Sequence, residues 1–216
     1  GADGVPGYPL IEAYLTGKEL KTVAEIDASV SDLMTSARLY MYGLQFTYNP
    51  HRMILNRVTD VYLLDADGNR RELEDDKMYR VVADLYSGQM LSAVTKTSYG
   101  LLSVVPKKAD GTPIENFEGV ILTDNGGELK AWTAIAHYME SFPDENGDGI
   151  ADIPQYYAGL HERKVVDDSS NLIKLIKNPN KYAVMIAGIV LIAILLVVLL
   201  IRLVLKLVKY RTGKSL

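Results

Sequence analysis

Residues 9–25 read PLIEAYLTGKELKTVAE, and a strand runs into a helix inside them. Leu10 to Leu15 reads as a short strand. At Thr16-Gly17-Lys18-Glu19 the Thr hydroxyl and the Glu carboxylate can satisfy the free amides of a helix start. Leu20, Val23, Ala24, Ile26, Val30, Leu33 and Met34 then recur at helical spacing, which predicts a helix from about Lys18 to Met34 with one buried face.

Beyond this unit the period changes to two. Leu44, Phe46 and Tyr48 alternate with Gln45, Thr47 and Asn49 up to the Asn49-Pro50 break, as a strand would. A second strand is expected from about Arg57 to Leu64, a turn at Asp65 to Asn69, and a strand from Tyr79 to Asp84, together a β-meander. Ser87 to Val94 reads as a short helix, Leu101 to Val105 and Val120 to Leu122 as strands. Asn125-Gly126-Gly127 reads as a turn into a last helix carrying Leu129, Trp132, Ile135, Ala136 and Met139 on one face. Helices and strands mix without a strict βαβ alternation or an internal repeat. The expected class is therefore α+β, with mixed or antiparallel sheets and packed helices, followed by a single C-terminal transmembrane helix.

That last helix is read from residues 183–201, AVMIAGIVLIAILLVVLLI, a run of 19 residues without charge or proline. At about 1.5 Å per residue it spans a hydrocarbon core, and an apolar surface on every side is unusual for a soluble helix. The expected division is a folded domain over residues 1–155, a polar tether over 156–182, the span over 183–201 and a basic tail over 202–216. Arg202, Lys206, Lys209, Arg211 and Lys214 follow the span without an acid, whereas Lys174, Lys177 and Lys181 precede it. The basic tail is expected inside and the domain outside the cytoplasm, in a single-pass cell-membrane protein. Setting the five tail residues aside leaves 18 Lys and Arg against 27 Asp and Glu, a net charge of −9, which argues against nucleic acid as a partner. Zero cysteines exclude a disulfide framework and thiolate chemistry, in keeping with an extracytoplasmic bacterial protein. The chain opens at Gly1 with neither Met nor an export signal, so it is expected to be the C-terminal piece of a longer protein.

Catalytic signals are sparse. His51, His137 and His161 stand far apart without metal-ligand spacing, and neither a phosphate loop nor a GxSxG elbow is present. Asp144, Asn146, Asp148 and Asp152 place side-chain oxygens at positions 1, 3, 5 and 9 of a calcium-type loop, with Gly149 at position 6 and Gln155 where the bidentate acid belongs. That loop reads either as a weak Ca2+ site or as a solvated acidic turn. Fourteen tyrosines stand against three phenylalanines, and such amphipathic rings suit wet interfaces and stacking on flat ligands. Tyr8, Tyr86 and Tyr99 lie beside glycine or small residues in expected loops and are candidate substrate contacts.

The order PLIEAYLTGKELKTVAE, GLQFTYNP and DADGNRRELEDDKMYRVVADLYSGQM resembles the C-terminal domain of the 5′-nucleotidase family over about residues 5 to 125. Leu15 to Leu20, Gly43 to Asn49 and Tyr79 to Gly88 correspond to that family's motifs. Ser87-Gly88-Gln89-Met90 stands in place of its GGDGF loop. The resemblance implies a parent hydrolase whose N-terminal metallophosphoesterase domain holds a pair of divalent metal ions. This chain would then bind the nucleoside end of a nucleotide or related phosphate ester, with Tyr8 and Tyr86 stacking the base. The expected function is the substrate-binding and membrane-anchoring part of a cell-surface hydrolase in nucleotide catabolism. The alternative is a non-catalytic extracellular adhesion or scaffold domain.

Overall fold

A computed structural model describes residues 3–32, 34, 38–65, 67–97 and 102–212. Strand β1 (Leu10–Thr16) alternates strictly, with Ile11, Ala13 and Leu15 buried and the residues between them half-buried. It leads into α1 (Gly17–Val30) through the expected capping box: the Glu19 N–H donates to Thr16 Oγ1 at 3.2 Å and the Thr16 N–H to Glu19 Oε2 at 2.8 Å. The helix stops four residues short of the expected end. Downstream of it, the buried Asp27 carboxylate accepts the Leu39 N–H at 2.7 Å and the Lys164 ammonium, which draws the chain back across the helix end.

Two sheets carry the core. Strands β2 (Leu44–Tyr48), β3 (Val58–Leu64) and β4 (Arg70–Glu72) form an antiparallel run that β8 (Lys164–Val166) extends by pairing parallel to β2. Strand β5 (Met78–Asp84) pairs antiparallel with β1. The expected meander is thus corrected: its third strand is β4, and β5 leaves for the other sheet. All three β4 residues, Arg-Arg-Glu, are exposed and show no apolar alternation. Buried side chains of α1 (Leu20, Val23, Ala24, Ile26) pack with Leu44, Phe46, Val61 and Leu73 in the main core, and Glu25 pins the helix to the start of β3 by accepting the Arg57 and Val58 N–H groups.

Helix α2 (Leu85–Thr97) is longer than expected. Of the segment expected as a strand from Leu101 to Val105, Leu101 lies outside the described residues, and the rest is irregular with Leu102 and Val104 buried. The Val104 N–H goes to Thr95 Oγ1 and the Val105 N–H to Glu19 Oε1, so side chains replace a neighbouring strand. Val120 closes a 3-10 turn from Phe117, and Ile121 makes an isolated bridge to Ile11. The hairpin of β6 (Thr123–Asp124) and β7 (Gly127–Glu128) turns at Asn125-Gly126, and α3 (Ala131–Glu140) follows. None of its residues is buried, and the face carrying Trp132, Ile135 and Met139 is exposed.

Residues 156–182, expected as a polar tether, carry structure of their own. They contribute β8, the short helix α4 (Leu172–Ile176), and a link whose Asn180 caps α5 (Lys181–Thr212). The polar composition of this segment conceals long-range bonds: Asn49 Nδ2 donates to Ser169 O at 2.8 Å and the Asn180 N–H to Asn56 Oδ1 at 2.9 Å. Tyr182 and Ala183, in the first turn of α5, are buried, and Tyr182 joins the main core. Among the described residues one helix, over Lys181–Tyr210, is long and apolar enough to cross a membrane.

Candidate functional site

The β1–β5 ladder places the candidate site. Its register runs from Thr16↔Met78 to Leu10↔Asp84, and two steps further along an antiparallel pair Tyr8 falls opposite Tyr86. The chain is held to that line past the ladder, because the Leu85 N–H donates to Pro9 O at 2.9 Å and the Ala131 N–H to Tyr8 O at 3.1 Å. The two rings meet with centroids 5.7 Å apart and planes tilted by 37°. Tyr8 and Tyr86 are 59% and 42% exposed.

Each neighbour of the pair has a structural task. Asp84 accepts the Ser87 N–H at 2.9 Å and the Ser87 hydroxyl at 2.6 Å, which caps α2 and fixes the turn that presents Tyr86. Trp132 Nε1 donates to Pro6 O at 3.1 Å, and its half-exposed ring packs on Gly7, whose φ of +112° suits glycine alone. Behind this edge Lys130 is buried between Asp3, at 3.0 Å, and Glu128. Burial opposes the Lys130 charge, but the two carboxylates outweigh it and raise its pKa. Sequence reading missed Trp132 as a neighbour of the tyrosines, having placed it only on a helix face. The signal was there in Gly7, a glycine beside Tyr8 that leaves room for a ring.

Chemically, the arrangement offers two phenol faces. A flat ring can stack on either outer face. For insertion between them the rings must part to about 7 Å, two van der Waals contacts. Tyr99 lies outside the described residues. The acidic loop stands apart from this edge. Asp144 accepts the N–H groups of Gly147 at 2.7 Å and Gly149 at 2.9 Å, Asn146 and Asp148 accept those of Asp148 and Ile150, and Asp152 accepts that of Glu145. The Gly149 amide first, and its neighbours after it, hold the Asp144 carboxyl below the usual range. Its four side chains are thus gathered on one loop and bonded to that loop's own amides. No group of three or more His, Asp or Glu among the described residues is placed to hold a metal ion.

Residues 7–93 match the family model described as the 5′-nucleotidase C-terminal domain. Over these residues the chain is similar to that family. The match contains β1, α1, the hairpin strands, β5 and most of α2, so both tyrosines lie within the 5′-nucleotidase-type domain. No curated protein matches the chain. Among solved structures it is similar to a 5′-nucleotidase precursor from Thermus thermophilus, at 20% identity over 74% of this chain and 25% of that one, with a TM-score of 0.46. It is also similar to the NAD nucleotidase of Haemophilus influenzae, at 24% identity over 38% of this chain and 15% of that one, with a TM-score of 0.33. The chain therefore spans a quarter or less of the length of these two proteins. In this nucleotidase-type domain Ser87-Gly88-Gln89-Met90 forms part of the first two turns of α2. A Cβ at Gly88 would fall 2.4 Å from Ile11 Cδ1, so glycine is what lets α2 close on β1 and bring Tyr86 to Tyr8.

Proposed function

We propose that this chain is the substrate-binding and membrane-anchoring part of a cell-surface hydrolase that removes phosphate from nucleotides or related phosphate esters. The observation that carries the reading is the Tyr8–Tyr86 pair, exposed on the edge of a domain whose residues 7–93 match the 5′-nucleotidase C-terminal family. Stacking on aromatic rings recognises every base by its flat face and leaves specificity to other contacts. The described residues do not fit a catalytic metal pair, since they hold no cluster of three ligands. The divalent ions belong to an N-terminal metallophosphoesterase domain of the parent protein. The task of this chain is then orientation: it holds the nucleoside so that the phosphate lies in the other domain, and positioning of this kind lowers barriers by several kcal/mol. Helix α5 crosses the membrane with Arg202 to Lys214 on the cytoplasmic side, which puts the domain outside.

The test compares the parent protein with residues 1–216 alone. The parent protein should release phosphate from nucleotides in a metal-dependent way, and the chain alone should release none. A parent protein with intact metal ligands and no phosphatase activity on any nucleotide would favour the adhesion or scaffold reading instead.

A further inference from the structure

At the end of the domain where α5 begins, one turn holds everything together. Arg52, 6% exposed, lies in the turn between β2 and β3. Its Nε donates to Asn56 O at 2.6 Å, Nη1 to Lys174 O at 2.7 Å and Nη2 to Lys177 O at 3.0 Å. Asn180, four residues past α4, is bonded to Asn56 and caps α5. Helix α4 is therefore strapped beside the root of α5.

The side chains on the outside of this strap are apolar. Leu172, Ile173 and Ile176 are 77%, 73% and 74% exposed, and Met53 and Ile54 of the Arg52 turn are 38% and 41% exposed. Lys174, which also reaches Asp167 at 3.4 Å, stands among them, Lys177 and Lys181 follow, and from Tyr182 to Ile201 the chain carries no charge. A water-facing helix has no reason to present Leu-Ile-x-x-Ile, whereas a short helix lying in a membrane interface does, with lysines beside it for anionic head groups. The position supports the same occupant, since α4 and the start of the uncharged run are held by the same turn.

We propose that α4, with Met53 and Ile54, is seated in the bilayer surface, so that the domain stands on the membrane in a fixed orientation instead of swinging on a tether. The occupant of this apolar face is the lipid interface, and the three lysines meet its phosphates. This rests on reading α5 as a membrane span, and it is independent of the nucleotidase reading.

The chain has no cysteine, so single introduced cysteines can each carry one nitroxide label. Ile173→Cys, Leu191→Cys and Asp67→Cys would be prepared in the full chain, in vesicles of phosphatidylglycerol and phosphatidylethanolamine. Asp67 lies in the turn at the far end of β3, seven residues or about 23 Å from the Arg52 turn. The reading is the ratio of collisions with oxygen, which concentrates in lipid, to collisions with a water-soluble nickel chelate. The ratio at position 173 should be several-fold above that at 67 and below that at 191. A high ratio at 191 with equal ratios at 173 and 67 would overturn the proposal and leave the span intact. Equal ratios at all three positions would overturn the span and the proposal together. Ile173 is exposed, so the substitution leaves the packing of the domain unchanged.

Discussion

Glu19 serves two structures at once, and its behaviour with pH follows from that. It closes the capping box of α1, and it also receives the Lys107 ammonium, at 2.6 and 2.7 Å, together with the Val105 N–H at 3.0 Å. Burial alone would raise its pKa, but Lys107 and the amides of Thr16 and Val105 outweigh that and lower it. A carboxyl lowered in the folded state stabilises the fold above the unfolded carboxyl pKa of about 4.3, and that contribution disappears as pH falls through the folded value. Glu19→Gln should therefore destabilise the domain by about 1 to 3 kcal/mol at pH 7. The gap in melting temperature from the parent sequence should shrink steadily towards pH 3. A gap that stays constant between pH 7 and pH 3 would show that the charge of Glu19 contributes nothing. The capping half of this role was legible as Thr16-Gly17-Lys18-Glu19. The Lys107 half was not, because nothing local relates residues 19 and 107. The same holds for Tyr8 and Tyr86: each was visible as a tyrosine beside glycine or small residues, but only the β1–β5 register sets them opposite each other.

At the scale of elements, those with strong local patterns were legible and those made by distant pairing were not. β1, α1, β2, β3 and β5 carry alternation, helical spacing or caps, and they form near where the sequence places them. β4 and β8 are three residues each, too short to show a period, and their partners define them. The apolar run of α5 is legible because uniform apolarity needs no partner. The strap beneath it is invisible in composition, since Arg52 bonds to carbonyl groups, which every residue has. Its removal gives a direct test. Arg52→Ala leaves the carbonyls of Asn56, Lys174 and Lys177 without their donor, at a cost of about 1.5 to 3 kcal/mol by the range for charged hydrogen bonds. Limited proteolysis of the membrane-inserted chain should then cut between residues 167 and 180 much faster in the variant. Equal cutting rates would mean that α4 is already loose in the native protein.

In the proposed function of the whole molecule, a domain similar to the 5′-nucleotidase C-terminal family is joined to a membrane through α5, with the Tyr8–Tyr86 pair exposed and the catalytic metals in another domain. The class α+β with a C-terminal span could be read from patterning alone. The candidate site could be read only in part, because an aromatic face carries no motif of its own: a tyrosine looks the same in a sequence whether its ring packs or binds. The proposed function stands on whether Tyr86 contacts the base of a nucleotide. The measurement is kcat/KM of the full-length parent protein and its Tyr86→Ala variant on a nucleoside monophosphate and on a small aryl phosphate that lacks a base. The expected result is a loss of about 1 to 3 kcal/mol in transition-state stabilisation on the nucleotide, the range for one base stacked on one ring, and almost none on the aryl phosphate. Equal losses on both substrates, or no loss on either, would contradict it.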